Sequence, residues 1–214
     1  KIPRKINNLE KWLKNEIKTS CRKLNVKKIY GLLIHDTKDL RNKKKAKKIY
    51  KVFDILKKSK IIEKIGLSIY NPNELDLYFK NYNFEIVQAP LNIFDRRIIN
   101  SGWLKKMNKK GVEFFARSIF LQGLLIKDID KLDKFFLPYR KKFQKFDVWT
   151  QKLNISKVEA CIRFVNSVKE VDKVIIGINN KQQFFENYNF MKKPKLIVPN
   201  SLEIKSGKIL NPKL

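Results

Sequence analysis

The chain has 214 residues, of which 43% are hydrophobic, with seven glycines and seven prolines; these values are typical of one globular domain with a substantial core. No apolar run is long enough to span a membrane and residues 1–10 lack a signal-peptide core, so we expect a cytoplasmic protein without a membrane partner. Cys21 and Cys161 each fall on the apolar side of a predicted helix, which predicts core residues rather than a disulfide or a metal site.

The charge is strongly positive, because 49 Lys and Arg residues against 20 Asp and Glu residues give a formal net charge of +29. Such a balance can indicate a polyanionic partner such as RNA, or it can reflect a coding sequence biased toward Lys, Ile, Asn and Phe. The lysines are spread along the chain, and no aromatic RNA-binding motif accompanies them. The densest cluster, which can be a solvated helix face, comprises Lys43, Lys44, Lys45, Lys47 and Lys48. We therefore expect no direct nucleic-acid function.

Apolar periodicity predicts alternating helices and strands along the whole chain. The first half is predicted to contain, in order, a helix at 8–24, a strand at 28–34, a helix at 46–56, a strand at 65–68, a helix after the turn at 71–74 and a strand at 84–89. The second half is predicted to contain a helix at 97–109, a strand at 112–119, helical pieces at 128–146 broken at Pro138, a helix at 158–168, a strand at 171–177 and a helix from 182.

The predicted strand at 28–34 precedes the only histidine of the chain. Its uninterrupted apolar run predicts a strand buried on both faces, as in parallel sheets. His35, Asp36 and Thr37 follow immediately, at the carboxyl end of a strand, which is where α/β folds place their chemistry. A histidine that is merely hydrogen-bonded at a strand end is the alternative.

The alternation of elements predicts an α/β fold, with a parallel sheet covered by helices, that is either an open sheet or a barrel. No strand is followed by a glycine-rich dinucleotide fingerprint or a P-loop, which favours the barrel. A (β/α)8 barrel requires eight strands, however, and only five are clear in this sequence.

Segments covering nearly all of the chain resemble, in the right order, the aldo/keto reductase family. Residues 28–36 resemble its fourth strand, 64–72 its fifth, 86–97 its sixth, 112–125 its seventh and 174–187 its eighth with the following loop. The most specific match is Gly177, followed six residues later by Gln183 and then by Glu186-Asn187. The resemblance implies a partial TIM (β/α)8 barrel with parallel strands three to eight and outer helices, as a single domain over residues 1–214.

The same resemblance implies NAD(P)H-dependent reduction of an aldehyde or ketone to an alcohol. In the catalytic Asp-Tyr-Lys-His tetrad of the family, Lys1 matches the lysine and His35 the histidine, while the aspartate and tyrosine would lie upstream of residue 1. Tyr30 and Tyr70 are not persuasive replacements for the tyrosine. We therefore expect the chain by itself to be incomplete, and a catalytically inactive barrel or a basic nucleic-acid-binding protein are the alternatives.

For the cofactor, the resemblance places Ser68 and Gln88 at the nicotinamide carboxamide, although either could instead satisfy loop backbone groups. Asn92 has a weaker claim and could simply cap a turn. Where the family has a tyrosine that stacks on the nicotinamide, this chain has Arg117 or Ser118.

The remaining cofactor residues are predicted at the phosphates and the adenine. Backbone N–H groups of Leu121 and Gly123 are expected to face the pyrophosphate, and the helix N-terminus near Gly177, Asn179 and Asn180 to bind phosphate. The adenine is assigned to one helix face formed by Gln183, Glu186 and Asn187, for which a polar solvated face is the alternative. Lys181 slightly favours NADPH over NADH.

Overall fold

The structure, a computed structural model, describes residues 2–3, 6–205 and 207–211. Its described residues form one sheet of five strands whose order in the sheet is their order in the chain. The strands are β1 (Ile29–Ile34), β2 (Ile62–Ser68), β3 (Ile86–Pro90), β4 (Glu113–Arg117) and β5 (Lys173–Val174). The pairings of β1 with β2, β2 with β3 and β4 with β5 are parallel. The predicted α/β fold is confirmed, and within the described residues the sheet remains open rather than closing into a barrel.

Helices connect the strands. They are α1 (Leu9–Leu24), α2 (Lys43–Lys58), α3 (Asn73–Tyr78), α4 (Arg97–Asn100), α5 (Trp103–Lys109), α6 (Arg140–Lys152), α7 (Lys157–Ser167) and α8 (Lys181–Lys192). Side chains of Asn8, Asn42, Ser156 and Asn180 accept backbone N–H groups at the starts of α1, α2, α7 and α8, respectively. The helix predicted at 97–109 is divided between α4 and α5 at Gly102, whose φ of 74° interrupts a right-handed helix.

No helix in the described part of the chain combines the length and apolar character required to cross a bilayer.

The chain divides into two compact units. The first comprises the residues up to Gln88 together with Lys109–Glu113. Its core is formed by apolar side chains of α2, β2, α3 and β3, including Ile49, Leu56, Ile62, Leu67, Leu75 and Ile86, all at most 1% exposed. Gly66 on β2 is required here, because a Cβ at that position would lie 2.5 Å from the Ile86 carbonyl oxygen.

The second unit comprises Ala89–Asn108 and the chain from Phe114 onward. Its core contains an aromatic cluster in which the rings of Phe94 and Phe143 lie 5.1 Å apart, and those of Phe94 and Phe146 lie 6.0 Å apart. Cys161 on α7 is fully buried, as predicted from its apolar surroundings. The single domain over residues 1–214 stays a prediction.

Strand β1 differs from its prediction. We expected it to be buried on both faces, but Tyr30 is 40% exposed and the strand is fully buried only at Ile34. The prediction was wrong: among the described residues β1 is an edge strand and pairs only with β2, so less of its surface is covered than in a central strand. The resemblance implied six strands, from the third to the eighth, and the described residues contain five; Ile2 and Pro3 are not in a strand, and Lys1 lies outside the described residues.

Candidate functional site

His35 follows the last residue of β1, and its side chain is exposed. The imidazole makes no hydrogen bond to another described residue, in contrast to the alternative of a histidine engaged at a strand end. It lines a cavity of about 160 Å³ between α1 and β1, together with apolar residues such as Leu13 and Leu33. The neighbouring Asp36 is engaged structurally, because its carboxylate accepts the Lys38 N–H at 3.0 Å. His35 is therefore available to a ligand.

Glu74 joins the loop that carries His35 to the loop that follows β2. Its carboxylate accepts the Thr37 hydroxyl on one oxygen. On the other oxygen it accepts the backbone N–H groups of Tyr70 and Asn71, at 2.9 and 2.8 Å. The Tyr78 hydroxyl donates to the Thr37 carbonyl at 2.9 Å, and burial raises the pKa of Tyr78. We call these contacts the Glu74 network.

Ser68 and Gln88 form a directly bonded pair. They are register partners, Ser68 as the last residue of β2 and Gln88 as the middle residue of β3, and the Ser68 hydroxyl donates to Oε1 of Gln88 at 3.3 Å. Ser68 is only 2% exposed, and the Gln88 carbonyl accepts the Ile69 N–H at 2.9 Å. The amide nitrogen of Gln88 makes no hydrogen bond to a described residue, which leaves donors for a carboxamide oxygen.

Tyr30 lies at the opposite end of β1 from His35. Its hydroxyl donates to the Glu113 carboxylate at 2.5 Å, and the same carboxylate binds the Lys64 ammonium. The hydrogen bond with Glu113 raises the pKa of Lys64. This cluster stabilises the amino-terminal ends of the strands, and Tyr30 is no replacement for a tyrosine beside His35.

In the second unit, the loop after β4 has a left-handed backbone at Ser118, Leu121, Gln122 and Gly123, with φ values of 53°, 49°, 56° and 87°. Successive residues of this kind can turn N–H groups toward an anion. The Leu121 N–H, however, donates to the Ser118 carbonyl at 2.8 Å, so it is occupied within the loop. The Gly123 N–H has no acceptor among the described residues and remains the better candidate of the two.

Asn92 is explained by structure alone. Its side chain is completely buried, accepts the N–H groups of Phe94 and Asp95 at 3.0 and 2.8 Å, and donates to the Ser118 carbonyl at 3.1 Å. These bonds cap a turn, which was the alternative to a cofactor role.

Arg117 and Ser118, the two candidates for the position that stacks on the nicotinamide, contact each other. The Arg117 guanidinium donates to the Ser118 hydroxyl at 3.2 Å.

The amino-terminal end of α8 is closed by reciprocal hydrogen bonds. The Asn180 side chain accepts the Gln183 N–H at 2.9 Å, and the Gln183 side chain accepts the Asn179 N–H at 3.0 Å. This resembles a capping box, so Gln183 has a structural role besides the predicted one. Glu186 accepts the Gln182 amide at 2.7 Å. Gly177, before the helix, has no neighbouring atom within 4 Å of the Cβ that a substitution would add.

Asn187 is the unusual member of this helix. Its side chain is 8% exposed, yet its amide makes no hydrogen bond to a described residue. The polar atoms of this amide are nevertheless reached by solvent, so they are also accessible to a ligand. Among the described residues no group of three or more His, Cys, Asp or Glu side chains is placed to hold a metal ion.

The model of the Aldo/keto reductase family matches residues 3–197. The chain belongs to the aldo/keto reductase family. Among solved structures it is similar to aldo-keto reductase AKR11C1 from Bacillus halodurans in its holo form, with 22% identity, a TM-score of 0.70, and coverage of 88% of this chain and 64% of that one. It is also similar to glycerol dehydrogenase AKR11B4 from Gluconobacter oxydans, with 21% identity, a TM-score of 0.68, and coverage of 88% and 61%.

A third similar structure is the thermostable aldo-keto reductase Tm1743 in complex with the inhibitor epalrestat, with 15% identity, a TM-score of 0.64, and coverage of 89% of this chain and 63% of that one. The chain thus spans less than two thirds of the length of these structures. No curated protein is significantly similar to it.

Within this aldo/keto reductase chain, the first unit brings Ser68 and Gln88 together and links the loop of His35 to the loop after Ser68 through Glu74. The predicted Lys1 lies outside the described residues. Thr37 was placed beside His35 by the sequence analysis, but its contact with Glu74 was not predicted. The one local signal for Glu74 is its position in the first turn of α3, where an acidic side chain can accept free N–H groups.

Proposed function

We propose that this member of the aldo/keto reductase family takes part in the NAD(P)H-dependent reduction of an aldehyde or ketone to an alcohol. The observation that carries the proposal is the hydrogen-bonded pair of Ser68 and Gln88, the two residues that the family resemblance assigns to the nicotinamide carboxamide. The proposal includes a cytoplasmic location.

Each unit by itself has groups that suit part of a dinucleotide. In the first unit, the free amide donors of Gln88 and the Ser68 oxygen suit the carboxamide. In the second unit, the Gly123 N–H and the open space at Gly177 suit phosphates. The unpartnered amide of Asn187 suits the edge of an adenine. When bound, the reduced nicotinamide supplies the hydride. Lys181, whose ammonium lies 5.7 Å from the Phe185 ring centroid, is the residue proposed to favour NADPH.

In the reduction, negative charge develops on the carbonyl oxygen, which therefore needs a hydrogen-bond donor. We assign that donor to the exposed imidazole of His35, which orients the carbonyl. Lys1 is proposed to lower the pKa of a tyrosine that donates the proton, because a nearby ammonium favours the phenolate. Tyr30 does not serve as that acid, since it is bonded to Glu113. A catalytically inactive, cofactor-binding chain is the second candidate.

The proposal is tested by titrating the chain with NADPH and following the cofactor fluorescence. Ser68→Ala combined with Gln88→Ala should weaken binding by about tenfold or more, because two polar contacts are removed. Ser59→Ala is the control, since that hydroxyl donates to the Ile55 and Leu56 carbonyls of its own helix. NADPH binding without carbonyl turnover would favour a catalytically inactive, cofactor-binding chain. The absence of NADPH binding would contradict both this candidate and the proposed reductase.

A further inference from the structure

A second cavity in the first unit, of about 540 Å³, is lined by Ile2, Pro3 and residues 6–10 and by one face of α2. Its volume is within the range of small-molecule sites. From α2 it is lined by Lys44, Lys45, Lys48 and Lys51, and from the segment before α1 by apolar side chains that include Ile2 and Ile6. Three members of the lysine cluster noted in the sequence, Lys44, Lys45 and Lys48, therefore line a cavity, whereas Lys43 and Lys47 do not.

The charge of this cavity is strongly positive. Lys44, Lys48 and Lys51 recur at helical spacing on the same face, and none forms a salt bridge with a described carboxylate. Glu10 is the carboxylate in the lining, and it is bonded to Lys14 at 2.7 Å; that bond, and to a smaller extent the charge of Lys51, lower its pKa. Three ammonium groups therefore remain for a ligand.

We call the cavity lined by Lys44, Lys45, Lys48 and Lys51 the lysine cavity. It lies next to the cavity that His35 lines. Ile2 lines both of them. Lys45, in the lysine cavity, forms a 2.6 Å ion pair with Asp39, which lines the His35 cavity. An anionic group bound at the lysines of α2 would therefore lie next to the cavity that His35 lines.

We propose that the lysine cavity binds the anionic group of the substrate, so that the carbonyl compound reduced by this enzyme carries a phosphate or carboxylate. This inference rests on the proposed function for the identity of the reacting group. Ammonium groups act as mobile point charges that suit a phosphate or carboxylate, and an excess of one sign in a cleft raises the local concentration of the oppositely charged ligand. The apolar side of the cavity suits the carbon chain.

The test compares two aldehydes that differ in one group, D-glyceraldehyde 3-phosphate and D-glyceraldehyde. Binding is followed by the backbone amide shifts of α2 and by the imidazole signals of His35, which are unique because the chain has one histidine. We expect the phosphorylated aldehyde to bind about tenfold or more tightly than the neutral one and to shift both sets of signals. Equal binding of the two would overturn the proposal.

Two charge reversals on the same helix separate a specific site from general attraction to a basic protein. Lys44→Glu with Lys48→Glu should weaken binding of the phosphorylated aldehyde by about tenfold or more. Lys43→Glu with Lys47→Glu is the matched control, with the same spacing, the same charge change and exposed positions that do not line the cavity. An equal loss in both variants would overturn the proposal, as would tight, lysine-dependent binding of an oligouridylate instead.

The NADPH titration is performed on the same variants. Unchanged NADPH binding together with lost binding of the phosphorylated aldehyde supports the substrate assignment. If the lysines bind phosphate but the chain does not bind NADPH, the proposed function fails while the anion site remains.

Discussion

The Thr37 hydroxyl donates a hydrogen bond to the Glu74 carboxylate, across 37 residues of chain. Thr37 lies two residues after His35. Glu74 lies in the first turn of α3, the helix that follows β2 and its terminal residue Ser68. Two βα loops, each adjacent to a proposed site residue, are therefore held by one carboxylate. Such support fixes a side chain on a loop more firmly than the loop backbone alone could.

Glu74→Ala should lower the free energy of unfolding by about 2 kcal/mol, because it leaves the Thr37 hydroxyl and two backbone N–H groups without their acceptor. The His35 imidazole signals should also broaden or shift, since the loop is released. Denaturant unfolding and NMR spectroscopy measure the two effects. Glu63→Ala is the control: Glu63 pairs with Lys28 on the surface, and its loss should cost less than about 1 kcal/mol and leave His35 unchanged.

Asn187→Leu should change the free energy of unfolding by less than about 1 kcal/mol, because the amide makes no hydrogen bond to a described residue and its polar atoms are reached by solvent. NADPH binding should weaken by about tenfold in the same variant. Asn189→Leu, at an exposed position of the same helix, should change stability by less than about 0.5 kcal/mol and leave binding unchanged. A destabilised Asn187→Leu protein would show that the amide is satisfied in the fold.

Gly66→Ala should destabilise the first unit by about 1–3 kcal/mol, because the added Cβ would lie 2.5 Å from the Ile86 carbonyl oxygen and 2.8 Å from the Ile86 Cβ. Gly177→Ala has open space around the new Cβ and should change stability by less than about 0.5 kcal/mol. If a phosphate approaches Gly177, that variant should nevertheless bind NADPH more weakly. Thermal unfolding and NADPH titration on both variants measure the contrast.

Stability should fall at alkaline pH because of Cys161. Burial raises the pKa of its thiol, so the folded chain keeps the proton that the unfolded chain loses above about pH 8.5. The unfolded state then binds fewer protons, and the free energy of unfolding decreases by up to about 1.4 kcal/mol per pH unit above that value. Denaturant unfolding at pH 7 and pH 10 should show a smaller decrease in Cys161→Ala than in the parent chain. Equal decreases would show that the thiol does not contribute.

The order of the elements and the family were already decided by the sequence. Apolar periodicity placed the five strands and most of the helices, because burial on one face recurs at the period of each element. The spacing of Gly177, Gln183, Glu186 and Asn187 indicated the family, since these residues lie close together along the chain. The sequence also placed Ser68 and Gln88 on two successive strands, whereas the hydrogen bond between them depends on the register of those strands.

Tertiary structure alone decided which polar groups are in use. The exposure of β1 and the unpartnered amide of Asn187 depend on which surfaces meet, and no local pattern records that. The same holds for the Glu74 network and for the cavity between α2 and the segment before α1. Periodicity is a property of neighbouring residues, whereas a hydrogen bond across 37 residues exists only once packing has brought its two ends together.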